Sequence, residues 1–202
     1  RRLDEADKKD VDIKVKEEDF MHLTVGGMAS DSDGLGATAD FTHTNFDILD
    51  PGNYFSGGGQ RLKIGGLIGT KYQNAGVYFT EPWLFDIPLR LDTSFYWKNA
   101  LYQNWSEQRL GGTASLTKKF FDEFTSAQIG HTVEYVRIYD MDKGMSDIFQ
   151  REKGGDWVSK FHLTLDRDTR DNVNDPTSGY NLNLWNAVTS KILGASNNYY
   201  QI

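Results

Sequence analysis

The sequence predicts an all-β fold, an antiparallel up-and-down meander of about nine strands, and three observations carry that expectation. Apolar and polar residues alternate with a period of two in segment after segment. Clusters of Gly, Asp, Asn and Pro punctuate these segments, and no stretch sustains the three-and-four apolar spacing of an amphipathic helix. Composition agrees: a hydrophobic content of 38% with 13% aromatics and 20 glycines suits thin, turn-rich β structure better than a helical core.

Taken in order, Val11, Ile13 and Val15 alternate with Asp12, Lys14 and Lys16, which reads as a short strand with one wet face. From Leu23 the character changes and the repeating pattern begins. Leu35, Ala37, Ala39 and Phe41 oppose Thr38, Asp40 and Thr42, and Leu62, Ile64 and Ile68 repeat the scheme. The clearest case follows, with Leu89, Leu91, Phe95 and Trp97 on one side, Thr93 among them, and Arg90, Asp92, Ser94 and Tyr96 on the other. Leu110, Ala114, Leu116 and Phe120 against Arg109, Thr113, Ser115 and Thr117 fit the same pattern. Ile129, Val133 and Tyr135, then Phe161, Leu163 and Leu165, then Tyr180, Leu182 and Leu184 supply three more, and Asn198–Ile202 reads as the start of another.

Such strands present one face suited to lipid and one suited to water, as in part of an outer-membrane β-barrel. The connections near Asp86–Pro88 and Asp122–Phe124 suit tight hairpins, whereas Asp47–Gln60 and Asp140–Asp156 are long and polar or Gly-rich. Alternation of short and long connections is expected of a membrane barrel, with the short turns on the periplasmic side. Phe79, Trp83 and Phe85 beside one short turn, and Phe120, Phe121 and Phe124 beside the next, could form an interfacial girdle. Periodicity alone leaves open a soluble barrel or sandwich whose core these rings fill.

Other classes fare worse. With 22 Lys+Arg against 29 Asp+Glu, the net charge of −7 creates no field that would gather nucleic acid. The absence of cysteine excludes disulfides, thiolate metal sites and a Cys nucleophile. The N-terminal RRLDEADKKDVD has no apolar signal-peptide core, and no run approaches the ~20 apolar residues of a membrane helix. Asp166, Asp168, Asp171 and Asp175 crowd one segment, but a calcium loop starting there would need Gly at Asp171 and Glu at Thr177. A strand-end network in which Arg167 and Arg170 neutralise these carboxylates accounts for them better. His22, His43, His131 and His162 share no ligand spacing, no Ser lies in a G-x-S-x-G turn, and Gly57–Gly59 is followed by Gln60 and Arg61 rather than by a phosphate-loop Lys. The expectation is a non-enzyme with no cofactor and no metal.

Several motifs resemble one family. VDIKVKEED (Val11–Asp19) is similar to the last strand of the final POTRA domain in the BamA-like outer-membrane barrel-assembly translocons, also described as bacterial surface antigen barrels. LTVGGMASDSDGLGATADFTHTNF (Leu23–Phe46) resembles that family's first barrel hairpin. VYFTEPWLFD (Val77–Asp86) resembles its strand ending in an aromatic-Pro-aromatic turn, with Phe79, Glu81, Pro82 and Trp83. LDRDTRDNVNDPTSGYNLNL (Leu165–Leu184) resembles its D-x-R-x-N…PT-x-G turn, carried here by Asp168, Arg170, Asn172, Pro176, Thr177 and Gly179. The resemblance implies a division into residues 1–19, the end of a periplasmic POTRA domain, and 20–202, the N-terminal half of a sixteen-strand transmembrane barrel. An open half-barrel leaves two unpaired edges and should not span a bilayer stably by itself. The late-loop Arg-Gly motif of the family is not found, and the Asp47–Gln60 connection with Gly57, Gly58 and Gly59 is bulkier than expected between those strands.

The resemblance further implies a component that folds and inserts β-barrel proteins into the bacterial outer membrane. Its partners would be outer-membrane lipid, unfolded outer-membrane protein clients and accessory assembly proteins. The first barrel strand, with Leu23, Val25, Gly26 and Gly27, would lie at a weak lateral seam where a client strand pairs. Paired glycines weaken a strand, although they are also common at barrel bends. The alternatives are a secretion or translocation transporter of the same superfamily and a soluble β-barrel binding module.

Overall fold

The computed structural model describes residues 19–32 and 34–202. The strand expected at Val11–Val15, and the assignment of residues 1–19 to a POTRA domain, therefore lie outside the described residues apart from Asp19. Ten strands form one sheet in strict chain order: β1 (Met21–Ser30), β2 (Gly34–Phe46), β3 (Gln60–Gly69), β4 (Tyr72–Glu81), β5 (Leu89–Leu101), β6 (Ser106–Lys119), β7 (Thr125–Tyr139), β8 (Gly154–Asp168), β9 (Asn181–Thr189) and β10 (Tyr199–Gln201). Each pairs antiparallel with its chain neighbour, as the alternating pattern predicts. One α-helical turn, α1 (Asp147–Gln150), lies between β7 and β8. The tenth strand is the start of a strand expected near Asn198–Ile202.

Register sorts the side chains onto two faces, because partners across an antiparallel pair point the same way. One face carries Leu23, Val25, Ile64, Val77, Phe95, Leu110, Ile129, Leu163 and Leu184, linked through successive pairs such as Val25↔Ala39, Ile64↔Val77, Val77↔Phe95 and Leu116↔Ile129. These apolar side chains are exposed, Val25 at 71% and Phe95 at 59%. The other face is polar and folded in on itself, and its Tyr96 is only 8% exposed. The buried set among the described residues is mostly small or polar, including Ser115, Thr132, Ser159 and Thr189. A soluble barrel would bury the apolar rows; here the hydrophobic residues face outward, the arrangement required by a lipid solvent.

One transverse row shows how the polar face is packed. Asp40, Gly65, Gly76, Tyr96, Gly111 and Glu134 are neighbours across five consecutive strand pairs, β2 to β7. Tyr96 crosses over Gly111 and its hydroxyl donates to Glu134, which also accepts from Arg109, itself paired with Glu107. A methyl group on Gly111 would sit 2.6 Å from the Val133 carbonyl oxygen and 2.7 Å from Glu134 Cγ, so the glycine leaves the space this crossing needs.

The connections correct one expectation. Up-and-down order puts the β2–β3, β4–β5, β6–β7 and β8–β9 connections at one end of the sheet and the β1–β2, β3–β4, β5–β6, β7–β8 and β9–β10 connections at the other. Residues 47–59 therefore share an end with the short turns at 82–88 and 120–124, not with 140–153. Short and long connections do not alternate cleanly. The reason is the two-residue turn at Thr70 and Lys71, which places two strands between 47–59 and 82–88 and so returns the chain to the same end. The loop after β7 is also shorter than expected, since Gly154–Asp156 pair with Val136–Ile138 as strand.

Candidate functional site

The expected site residues fall at two places, an edge strand and a set of turns at one end, here called the motif end. β1 pairs only with β2 among the described residues, over ten register positions from Met21↔His43 to Ser30↔Gly34. Leu23, Val25 and Gly27 occupy its apolar face, and Gly26 its polar face. Neither glycine is forced by sterics: a methyl on Gly27 would find nothing nearer than the Gly36 oxygen at 3.9 Å, and one on Gly26 would meet the Thr38 hydroxyl at 3.3 Å. What they do is lower strand propensity along an edge whose outer N–H and C=O groups have no strand partner among the described residues. The motif-end base of this strand is held more firmly, because Thr44 donates both its N–H, at 2.8 Å, and its hydroxyl, at 3.3 Å, to the Phe20 carbonyl.

At the motif end the β8–β9 turn is a dense polar knot. Arg170 makes a bidentate pair with Asp168 at 2.8 and 2.6 Å. Asp171 accepts from the backbone N–H groups of Thr177 at 3.0 Å and Ser178 at 3.1 Å and from the Thr177 hydroxyl. Asn172 accepts from the N–H groups of Asn174 and Asp175, setting the approach to Pro176. Gly179 has φ +89°, and a methyl there would lie 2.1 Å from the Thr169 carbonyl oxygen, so only glycine closes the knot. Four donors thus spend the Asp171 carboxylate on shaping the turn, and its pKa is held far below the usual carboxylate range by the Thr177 hydroxyl and then by the backbone donors.

The knot is tied to the neighbouring turn. Arg167 donates to Asp122 at 2.8 Å, to the Thr125 hydroxyl, and to the Tyr180 hydroxyl at 2.8 Å, while the Asp168 N–H donates to the Phe124 carbonyl at 3.0 Å. Thr125 and then Arg167 lower the pKa of Asp122. Asp122, Thr125 and Tyr180 were not among the candidates read from sequence. Their role arises between strands: the β7–β8 register sets Thr125 opposite Arg167, and the β8–β9 turn brings Tyr180 back to Arg167.

The β4–β5 turn uses its motif differently. Glu81 accepts from the Trp83 N–H at 2.8 Å, bending the chain through Pro82, and from the Gln60 side chain at 2.8 Å, while Gln60 in turn accepts from the Ile48 N–H at 2.9 Å. Phe79 meets Phe46 edge-on at 6.4 Å. Glu81 thereby links its own turn to residues 47–59. The two motif turns share an end but not a site: β6 and β7 stand between their two hairpins, and β1 lies at the far side of the sheet from β8 and β9.

An outward apolar face, a polar inner face with crossing ion pairs, and strands joined in simple up-and-down order define the wall of a transmembrane β-barrel. Residues 54–202 match the Omp85 superfamily domain, and the chain belongs to that superfamily. No curated protein matches the sequence. Among solved structures the fold is similar to that of BamA from Haemophilus ducreyi lacking POTRA domains 1–3, with a TM-score of 0.69 and 17% identity. That likeness covers 92% of this chain and 36% of the BamA chain, so the chain spans about a third of its structural relative.

Proposed function

We propose that this chain forms the seam-bearing wall of a barrel that folds and inserts β-barrel proteins into the bacterial outer membrane. The observation that carries the reading is β1, a ten-residue, glycine-weakened edge strand next to an otherwise continuous sheet in an Omp85 superfamily chain. An open strand edge recognises another chain by backbone hydrogen bonds, which suits clients of many sequences. In this reading Leu23, Val25, Gly26 and Gly27 form the templating edge, and the turns at Phe79–Trp83 and Asp168–Gly179 brace the periplasmic end against which it opens. Residues 1–19 would then be the end of a periplasmic POTRA domain, and accessory assembly proteins would be further partners.

The test uses the full-length protein in cells depleted of the native copy. A disulfide between a cysteine placed at Val25 and one on the strand that closes the barrel should abolish insertion of outer-membrane clients, and reduction should restore it. Undiminished insertion with the seam locked would overturn the reading. Loss of one secreted substrate with normal insertion of membrane barrels would assign the chain to secretion instead.

A further inference from the structure

Residues 47–59 are the least barrel-like part of the wall, and they are built in detail. The segment folds back over the apolar face at the base of β1–β3. Phe55 stacks on Phe46 at 5.7 Å, and the ring series continues through His43, 5.5 Å from Phe46, to Phe20, 5.1 Å from His43. Beneath it His43 is 3% exposed and bonds the Ser56 hydroxyl at 3.1 Å, so a polar side chain on the lipid side of the sheet is both covered and satisfied.

Eight of the twelve backbone N–H groups of the segment are bonded within it or to its flanks. The N–H groups of Asp47, Phe55, Ser56 and Gly57 donate to the carbonyls of Phe55, Asp50, Asn53 and Asn45. Those of Ile48, Leu49, Asn53 and Gly59 donate to the side chains of Gln60, Asp47, Asp50 and Asn45. Outward it shows the reverse of this polarity: Leu49 is 86% exposed, Tyr54 84%, and Ile48 also stands free. Across a groove of about 340 Å³ the β4–β5 turn adds Trp83 and Phe85. The segment contains no Lys or Arg, and Asp47 and Asp50 are engaged as caps.

We propose that residues 47–59, together with Trp83 and Phe85, form a foot seated in the lipid headgroup and upper acyl region at the motif end, beside the edge strand. The occupant is a phospholipid surface, because the exposed side chains extend the lipid-facing rows of β2–β5 beyond Phe46, Phe79 and Leu91, and the polar Gln60 and Glu81 among them bond each other. Backbone donors bonded within the protein lower the cost of entering that region, and an amphipathic ring such as Tyr54 or Trp83 belongs at its boundary. With two carboxylates and no cation in the segment, attraction comes from apolar burial and gains nothing from anionic lipid. The foot would fix the base of β1 in the membrane plane while the rest of the edge opens. The inference rests on the membrane-barrel reading.

The 202 residues contain no cysteine, so within them an introduced cysteine is the single labelling site, and any cysteine elsewhere in the protein is replaced by serine first. The full-length protein, carrying Leu49→Cys labelled with an environment-sensitive fluorophore, is reconstituted in phosphatidylcholine vesicles containing lipids spin-labelled at the headgroup or along the acyl chain. Phe95→Cys, in the middle of β5, reports on the barrel wall, and Asn104→Cys at the opposite end reports a water-exposed turn. Leu49 should emit to the blue of Asn104 and lose at least half its intensity to shallow labels, unchanged by high salt, while Phe95 responds to deep ones. Quenching at Phe95 without quenching at Leu49 overturns the foot and leaves the barrel intact. Protection of Leu49 from aqueous iodide without lipid quenching also overturns it, since a protein would then cover the segment. Silence at both positions overturns the barrel reading and the foot together.

Discussion

Gly27→Ala should tighten the edge strand, whereas the same change at Gly111 should damage the wall. Gly27 faces lipid in β1 with 3.9 Å of clearance and an ordinary strand conformation, so the added methyl costs no strain and removes freedom only from the unpaired state. Such a change stabilises by about 0.4–1 kcal/mol, and adding Gly26→Ala, where the flexible Thr38 hydroxyl yields, brings the pair to roughly 0.8–2 kcal/mol. The population with β1 detached should therefore fall about fourfold to thirtyfold. Hydrogen exchange of the β1 amides in the full-length protein reads this directly, because exchange tracks local opening. Under the proposed function, client insertion should slow in parallel. At Gly111 the methyl would press on the Val133 oxygen at 2.6 Å and on Glu134, and overpacking of that kind costs about 1–3 kcal/mol. Unchanged or faster exchange in the Gly26/Gly27 double variant would refute the view that these glycines weaken the edge.

Other outcomes follow from the same geometry. Gly179→Ala combines a left-handed backbone with a methyl 2.1 Å from the Thr169 oxygen, and should lower folding stability by about 1–3 kcal/mol or more, seen as loss of the heat-modifiable band on denaturing gels. Phe95→Arg places a charge mid-strand on the lipid face and should cost about 2–4 kcal/mol of folding into vesicles, whereas Ser94→Arg on the polar face should fold nearly normally. Tyr96→Phe removes a donor to the Glu134 carboxylate and should destabilise the wall by about 1.5–3 kcal/mol in thermal unfolding, while Arg109 keeps the carboxylate paired. For Asp171 and Asp122 the folded pKa lies below the unfolded one, so their contribution is complete above the ordinary carboxylate value near ~4 and drains away as pH falls through the folded values. Protease protection of residues 169–180 should be flat from pH 5 to 8 (a range set by ~4) and fail only in strong acid, and Asp171→Asn should lose it at every pH.

The strand series was legible because each segment obeys a local rule. Alternation in Leu89–Trp97 follows from the pleat, whatever the neighbours are, and so β5 could be placed without knowing what flanked it. The motifs around Glu81–Trp83 and Asp168–Gly179 were likewise legible as turns, since Pro and Gly punctuate the backbone locally. Their partners were not. That Gln60 bridges Glu81 to the Ile48 N–H, or that Arg167 reaches Asp122 rather than one of its adjacent aspartates, depends on register between strands far apart in sequence.

By itself the sequence determined the all-β meander, the two chemically distinct faces and the family resemblance, because period-two patterning and turn chemistry act over a few residues. Tertiary structure decided which connections share an end, and hence that residues 47–59 sit beside the short turns. It also decided that the apolar face looks outward and that Tyr96 crosses Gly111 to Glu134. Both kinds of fact concern the same residues, but the second kind depends on strand parity and cross-strand register, which exist only once the sheet has formed.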